Sequence, residues 1–384
     1  MKTKKIKKKI FIFFHLNIFT SSIKEVDRLY VIKNCYWPIL DVAERNNLKI
    51  GIEISGITLE IIQKLDNRWI KRLKKLIKNG LISIIGSGYS QIIGPLVPYK
   101  LNDFNYGIGN DIYKKILNTK PKTLLINEHA FSKSLIDIIK KNNYTSIIME
   151  WENSVANSKM LNEKLKFNTI NIQGNKHSLR TIWNSSLNFQ KFQKYIYDKI
   201  SIDIYFKFIK NLKMNNNQFF VLYGSDAEVF DFRPRNTDHN KLYNLKDKNE
   251  WNKIENLLIL LKKDHDFLSL EEILENKYYC KKIINSPTNA KFPCTVKKQP
   301  KYNLIRWALS GINDFKINTY CFKIYDYFLK NKIEKFKYWK TLCYFWSSDF
   351  RTHIDNKRWN KFNKEKSKNK PRRRAALVTW RPWS

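Results

Sequence analysis

What most restricts the fold of this chain is a recurring unit. A short apolar, β-branched run stops at a polar or acidic residue, and a stretch with helical spacing follows. The runs are KIFIFFHLN (9–17), LKIGIEIS (48–55), LISIIGSGY (81–89), TLLINEH (123–129), TSIIMEWE (145–152), FNTINIQG (167–174) and FFVLYGSD (219–226). Between them, residues 57–65, 69–77, 132–141 and 192–212 repeat apolar side chains at a helical period. Strands alternating with helices predict parallel βαβ units. Runs apolar at consecutive positions predict strands buried on both faces. Seven such units before residue 240 predict a (β/α) barrel rather than an open sheet. The phosphate fingerprint of a dinucleotide fold is missing, since GIGND (107–111) has a GxG but neither the third glycine nor a preceding strand.

Charge is the other strong bias. Lys+Arg number 72 against 34 Asp+Glu, a formal +38. The lysines are spread along the chain with Asn and Ile (KNN, NKNK, KMNNNQ) and no nucleic-acid motif accompanies them, so they read as a solvated surface. Two basic runs, MKTKKIKKK and KEKSKNKPRRR, leave room only for weak attraction to anionic polymers or membrane surfaces, with no obligate nucleic acid. The five cysteines are scattered without a CxxC pair, which fits a reducing cytoplasm rather than a disulfide framework. IFIFF is too short for a signal-peptide core and reads as a first strand; no stretch approaches the roughly 18 apolar residues of a spanning helix. The expected organisation is a catalytic barrel over 1–240, a connecting segment over 241–300, a helical region over 301–360 and a basic tail over 361–384.

A barrel keeps its reactive groups at the carboxyl ends of its strands. Here those ends carry His15 and Asn17, Glu53, Ser87 and Tyr89, Glu128 and His129, Glu150 and Glu152, Trp183, and Asp226 with Glu228. Two acids ending different strands suit glycosidic bond cleavage, where one carboxyl protonates the leaving oxygen and another attacks or stabilises the anomeric carbon. Glu128 and Asp226 are the candidates; each also reads as a helix cap or turn former. His15 reads either as a ligand of substrate hydroxyls or as a satisfied core histidine. In strand geometry His129 and Glu128 would point to opposite faces. No HExxH, HxH or His/Cys cluster is present, so neither a metal nor another cofactor is expected. No GxSxG elbow is present either. Tyr89, Trp151, Trp183 and Tyr223 lie beside the strand ends, as sugar-stacking platforms or as core.

Six stretches, FFHLNIFTSS, SGYSQIIGPLVPYKLN, INEHAFS, IIMEWENS, WNSSLNFQKFQ and YGSDAEVFDFRP, occur in this order between residues 13 and 234. Together they resemble glycoside hydrolase family 57, in particular its branch found near bacterial surface-polysaccharide genes; WALSGIND and LCYFWSSDFRTHI resemble it too. The resemblance implies an α/β fold, an incomplete (β/α)7 barrel followed by an α-helical C-terminal region. It implies action on α-linked glucan-type sugars with retention, Glu128 as nucleophile and Asp226 as acid/base. Retention asks for the two carboxyls about 5–5.5 Å apart. His15 would bind substrate and Glu150, Trp151 and Glu152 would line the site. Asn17, Tyr89, Trp183 and Glu228, from the other strand ends, complete the expected substrate-binding set. Three departures stand out. The family's HxHQP is here His15-Leu16-Asn17. The glutamate of the second motif is replaced by Ser83, and Arg235-Asn236 stands where a glycine turn is expected. Two other readings compete: a polysaccharide deacetylase-like barrel, and a non-catalytic carbohydrate- or nucleic-acid-binding protein on the same scaffold.

Overall fold

The computed structural model describes residues 7–20, 23–154, 162–232, 249–285, 304, 306–310 and 314–350. Its strands are β1 (Lys8–Leu16), β2 (Ile50–Ile54), β3 (Ile82–Ile85), β4 (Thr123–Leu125), β5 (Ser146–Glu150), β6 (Thr169–Gln173), β7 (Ser178–Asn184), β8 (Phe219–Asp226), β9 (His265–Phe267) and β10 (Tyr279–Ile284). The main helices are α1 (Trp37–Arg45), α2 (Gly56–Leu65), α3 (Asn67–Lys78), α4 (Tyr99–Leu117), α5 (Lys133–Lys141), α6 (Ser186–Ile196), α7 (Ile202–Lys210), α8 (Glu250–Asp264), α9 (Asp314–Lys330) and α10 (Phe336–Phe345).

β3, β2, β1 and β8 form one parallel ladder; β4, β5 and β7 form another. A parallel bridge between Gly86 and Leu124 joins β3 to β4. Seven parallel strands therefore run round a ring in the order β8, β1, β2, β3, β4, β5, β7. Between β7 and β8 no backbone ladder exists among the described residues. Two side-chain amides fasten that joint instead: Asn184 Nδ2 donates to the Gly224 carbonyl at 2.6 Å, and Asn188 Nδ2 to that of Val221 at 2.8 Å. This is an incomplete (β/α)7 barrel, with α9 and α10 as the helical C-terminal region. β9 extends the ladder at the start of β1, and β6 and β10 lie outside the ring.

The seventh ring strand is β7, not the predicted FNTINIQG. That run is β6, the first arm of an antiparallel hairpin with β7. SLRTIWN escapes an apolar search because of Ser178 and Arg180. Arg180 nevertheless belongs there, since its guanidinium donates to Thr169 Oγ1 at 2.7 Å and to the carbonyls of Leu274 and Glu275. The long helix expected over 192–212 is two helices, broken where Asp198 takes φ 56° and Ser201 caps α7. DHDFLSLEEIL holds β9 before its helical turn, Leu270–Ile273, which opens with a Ser269/Glu272 capping box. GIGND lies inside α4. A Cβ on Gly109 would sit 2.5 Å from the Gly88 carbonyl carbon, so this glycine serves close packing of helix on strand end.

Side chains alternate across each strand. The inward set, Phe11 and Phe13 of β1, Ile85, Leu125, Ile148, Ile182, Phe219 and Val221, forms one apolar plug, sealed below by Leu268, Leu270, Ile273 and Tyr278. Each such side chain contributes on the order of 1.5–3 kcal/mol by leaving water. The outward set packs against the helices in a larger core. α10 joins it through Trp339, stacked on Phe104 of α4 at 4.2 Å. No helix among the described residues is long and apolar enough to cross a membrane. The basic tail over 361–384 and residues 286–300 of the connecting segment lie outside the described residues.

Candidate active site

The alternation that buries the plug lifts polar residues above it. In register across β2, β1 and β8, Glu53, His15 and Asp226 stand side by side, one step above Gly51, Phe13 and Gly224. Gly224 keeps this step open, because a Cβ there would meet the Phe13 ring at 2.4 Å. Across β5 and β7, Glu150 pairs with Asn184 above Ile148 and Ile182. The strand ends thus surround a polar mouth on an apolar floor.

His15 is at its centre. Its Nδ1 meets the Glu53 carboxylate. Its Nε2 lies 3.4 Å from Gln91 Nε2 and 3.9 Å from Asp226 Oδ1. Burial holds the imidazole below its ordinary pKa, against the opposing charges of Asp226 and Glu128. Of the two candidate carboxylates, Asp226 approaches this ring directly, at 3.9 Å from Nε2.

Glu128 arrives there through an unusual backbone. The strand reading of TLLINEH does not hold beyond Leu125: residues 127–129 form a tight turn, with Glu128 at φ 50°, ψ 17° and His129 at φ 55°. Left-handed geometry at a non-glycine residue costs about 1–3 kcal/mol and persists only where neighbours enforce it. Asn127 enforces it here. Its Oδ1 accepts from Ser87 Oγ at 2.8 Å, and its Nδ2 faces the carbonyls of Ser87, Ser90 and Ile92 at 3.3–3.4 Å. Asn127→Ala would take a buried partner from the Ser87 hydroxyl and from the Ser87 and Ile92 carbonyls, while the Ser90 carbonyl keeps the Ile92 N–H and the Asn105 amide. We expect about 2–4 kcal/mol of destabilisation, read from the denaturant midpoint; a loss within a few tenths would refute this role.

Asp226 ends β8 and Glu228 follows in the turn Ala227–Val229, in a different environment. The Asp226 side chain is 57% exposed at the mouth. Glu228 is 2% exposed, and its Oε1 accepts from the Asn17 backbone N–H at 2.7 Å and from the Tyr36 hydroxyl. Burial, reinforced by the charge of Asp226, raises the Glu228 pKa to about 7. Glu228 thus supports the end of β1 from behind. A carboxyl with a raised folded-state pKa binds its proton more tightly in the folded chain. Its stabilisation is full below the ordinary value of 4.5 and falls as pH rises through about 7. That shift corresponds to a loss of roughly 3 kcal/mol. Glu228→Gln should flatten this part of the stability profile, measured by urea unfolding at pH 5 and pH 8. An unchanged slope would sink the assignment.

Asp349 was not singled out from the sequence, yet it completes the mouth. Its Oδ1 accepts from Asn17 Nδ2 at 2.7 Å and its Oδ2 from Ser347 Oγ at 2.7 Å, while the Ser348 N–H donates to the Gln91 carbonyl at 2.8 Å. Burial, with a smaller push from the Glu128 charge, raises its pKa to about 6. Only its place in WSSDF, among aromatics, could have signalled it.

Other predicted site residues take different places. Glu152 accepts from Ser185 Oγ at 2.6 Å and the Ser186 N–H at 2.8 Å; that N–H also lies 3.1 Å from Glu150 Oε1. Burial would raise the Glu152 pKa, but bonds from Glu150, Ser185 and Ser186 and the charge of Lys166 bring it below the ordinary value. These acids anchor the start of α6, a favourable place for negative charge. Trp151 and Trp183 make a T-shaped pair at 5.1 Å in the apolar layer behind β5 and β7. Trp183 follows inward Ile182 by one residue, so it faces out. Tyr89 is buried toward the helices, with Lys340 Nζ 4.9 Å from its ring centre; burial and the nearby Glu60 raise its pKa. Ser83, the second-motif departure, hydrogen-bonds Glu271 at 2.9 Å at the barrel floor, away from the mouth. Arg235-Asn236 lies outside the described residues. Among the described residues no three His, Cys, Asp or Glu side chains converge as a metal-ligand set.

Known proteins place this arrangement. The 4-α-glucanotransferase of Thermococcus litoralis superposes with a TM-score of 0.61 at 12% identity, over 86% of this chain and 48% of its own. A branching enzyme from Thermococcus kodakaraensis superposes with a TM-score of 0.60 at 10% identity, over 83% and 78%. In sequence, an α-amylase of Pyrococcus furiosus is 22% identical over 119 residues, 31% of this chain and 18% of that enzyme. The chain therefore spans about half the length of the glucanotransferase and less of the amylase. The sequence profile of Glycosyl hydrolase family 57 matches residues 2–287, and the chain belongs to that family.

Proposed function

We propose that this protein is a retaining glycosidase or transglycosylase acting on α-linked glucan-type sugars, with Glu128 as nucleophile and Asp226 as general acid/base. The observation that carries this reading is that Asp226, at the tip of β8, stands in register with His15 with its Oδ1 3.9 Å from Nε2, while a left-handed turn holds Glu128 just past the end of β4. Family membership and the glucan-active enzymes sharing the fold support the substrate class. In the first step Asp226 gives a proton to the departing glycosidic oxygen while Glu128 attacks the anomeric carbon. In the second, Asp226 takes a proton from water or an acceptor sugar, which displaces Glu128 from that carbon. His15 Nε2, Asn17 and Asp349 line the same mouth and are placed to receive sugar hydroxyls.

The test is a screen of α-linked oligosaccharides with wild type, Glu128→Gln and Asp226→Asn, following the anomer of the first product by NMR. The reading expects α product from α substrate and loss of turnover in both variants. Activity surviving both substitutions unchanged would overturn it.

A further inference from the structure

Among the buried acids of the mouth that the acid/base exchange leaves unused, Glu53 is the one that meets His15. Glu53 is 0% exposed, on the strand beside β1, in register with His15. One of its oxygens meets His15 Nδ1; the other, Oε1, is buried without a hydrogen-bond partner. A carboxylate accepts, so the nitrogen facing it carries the proton. A neutral ring held this way is unprotonated at Nε2, the nitrogen that faces the Gln91 amide nitrogen, a donor at 3.4 Å that a substrate hydroxyl would replace, and Asp226. The charged and titratable groups around the ring are Glu53 from β2, Asp226 from β8 and Glu128 from the turn after β4.

We infer that Glu53 is a positioning residue that locks His15 in the Nδ1–H tautomer, so that Nε2 accepts a substrate hydroxyl between Asp226 and Glu128. Buried carboxylates behind functional histidines have this effect elsewhere, and removing one typically costs about 10–100-fold in activity. The hydroxyl rests on the glycosidase reading above; the tautomer does not.

The experiment labels the six histidines with 15N in the full chain and assigns the His15 ring by its loss in His15→Gln. In wild type near neutral pH the ring should be protonated at Nδ1 and bare at Nε2. Glu53→Gln, whose amide oxygen still accepts from Nδ1, should keep that tautomer and most of the activity. Glu53→Leu should release the ring toward the Nε2–H form and lower kcat/KM on an α-linked oligosaccharide about 10–100-fold. A wild-type ring protonated at Nε2 overturns the inference without any variant. An unchanged tautomer in Glu53→Leu, or equal losses in Gln and Leu, also overturns it. Should Glu128→Gln leave turnover intact while the tautomer still follows Glu53, the glycosidase reading fails and this one stands.

Discussion

Glu128→Gly is expected to make the protein more stable and inactive at once. The residue holds φ 50°, ψ 17°, a conformation glycine adopts without steric penalty. Relieving it should add roughly 1 kcal/mol to the unfolding free energy, less the greater chain entropy glycine brings to the unfolded state. On the proposed mechanism, turnover on α-linked oligosaccharide should fall by about 10⁴-fold or more, because no group would remain to form the covalent glycosyl intermediate. Glu128→Gln separates the two effects, since it keeps the backbone strain and loses the nucleophile. It should match wild type in stability and the glycine variant in inactivity. A glycine variant less stable than wild type would show that the Glu128 side chain, and not the turn, holds this segment.

Asp226→Asn should cost about 10²–10⁴-fold in kcat on glucan. The size of the loss should depend on the leaving group. A sugar alkoxide needs a proton as it departs, whereas a nitrophenolate does not. Kinetics on a nitrophenyl α-glycoside should therefore show a much smaller deficit in formation of the intermediate, visible as a burst followed by slow breakdown. Equal losses on both substrates would remove Asp226 from the role of acid.

Parts of this site were legible before any coordinates. KIFIFFHLN and FFVLYGSD are apolar at consecutive positions and end in polar residues, so β1 and β8, with His15 and Asp226 at their tips, followed directly. Glu128 stands out in the same way as the acid after TLLIN, and the resemblance adds the nucleophile's role to it. The same consecutive apolarity hid the phase of each strand. Nothing in SIIMEW or TIWN says which residues face the barrel, and Trp151 and Trp183 fall on the outer side. Tyr89 turned outward for the same reason. β7 went unnoticed because Arg180 interrupts it, and a guanidinium bonded to two carbonyls of the 274–275 segment is visible only once that segment is in place. Glu53 reads from the sequence as a strand end, but its partnership with His15 depends on register, which a single sequence does not state. Asp349 required the longest reach, since its contact with Asn17 closes a loop of 332 residues.

That last contact sets an order of events during synthesis. Asn17 leaves the ribosome well before its side-chain partner, which is made 332 positions later. The parallel ring from β1 to β8 can assemble while translation continues, but its rim stays unfinished until Ser347, Ser348 and Asp349 emerge and dock on Gln91 and Asn17. A nascent chain would thus own its barrel well before it owns a complete mouth.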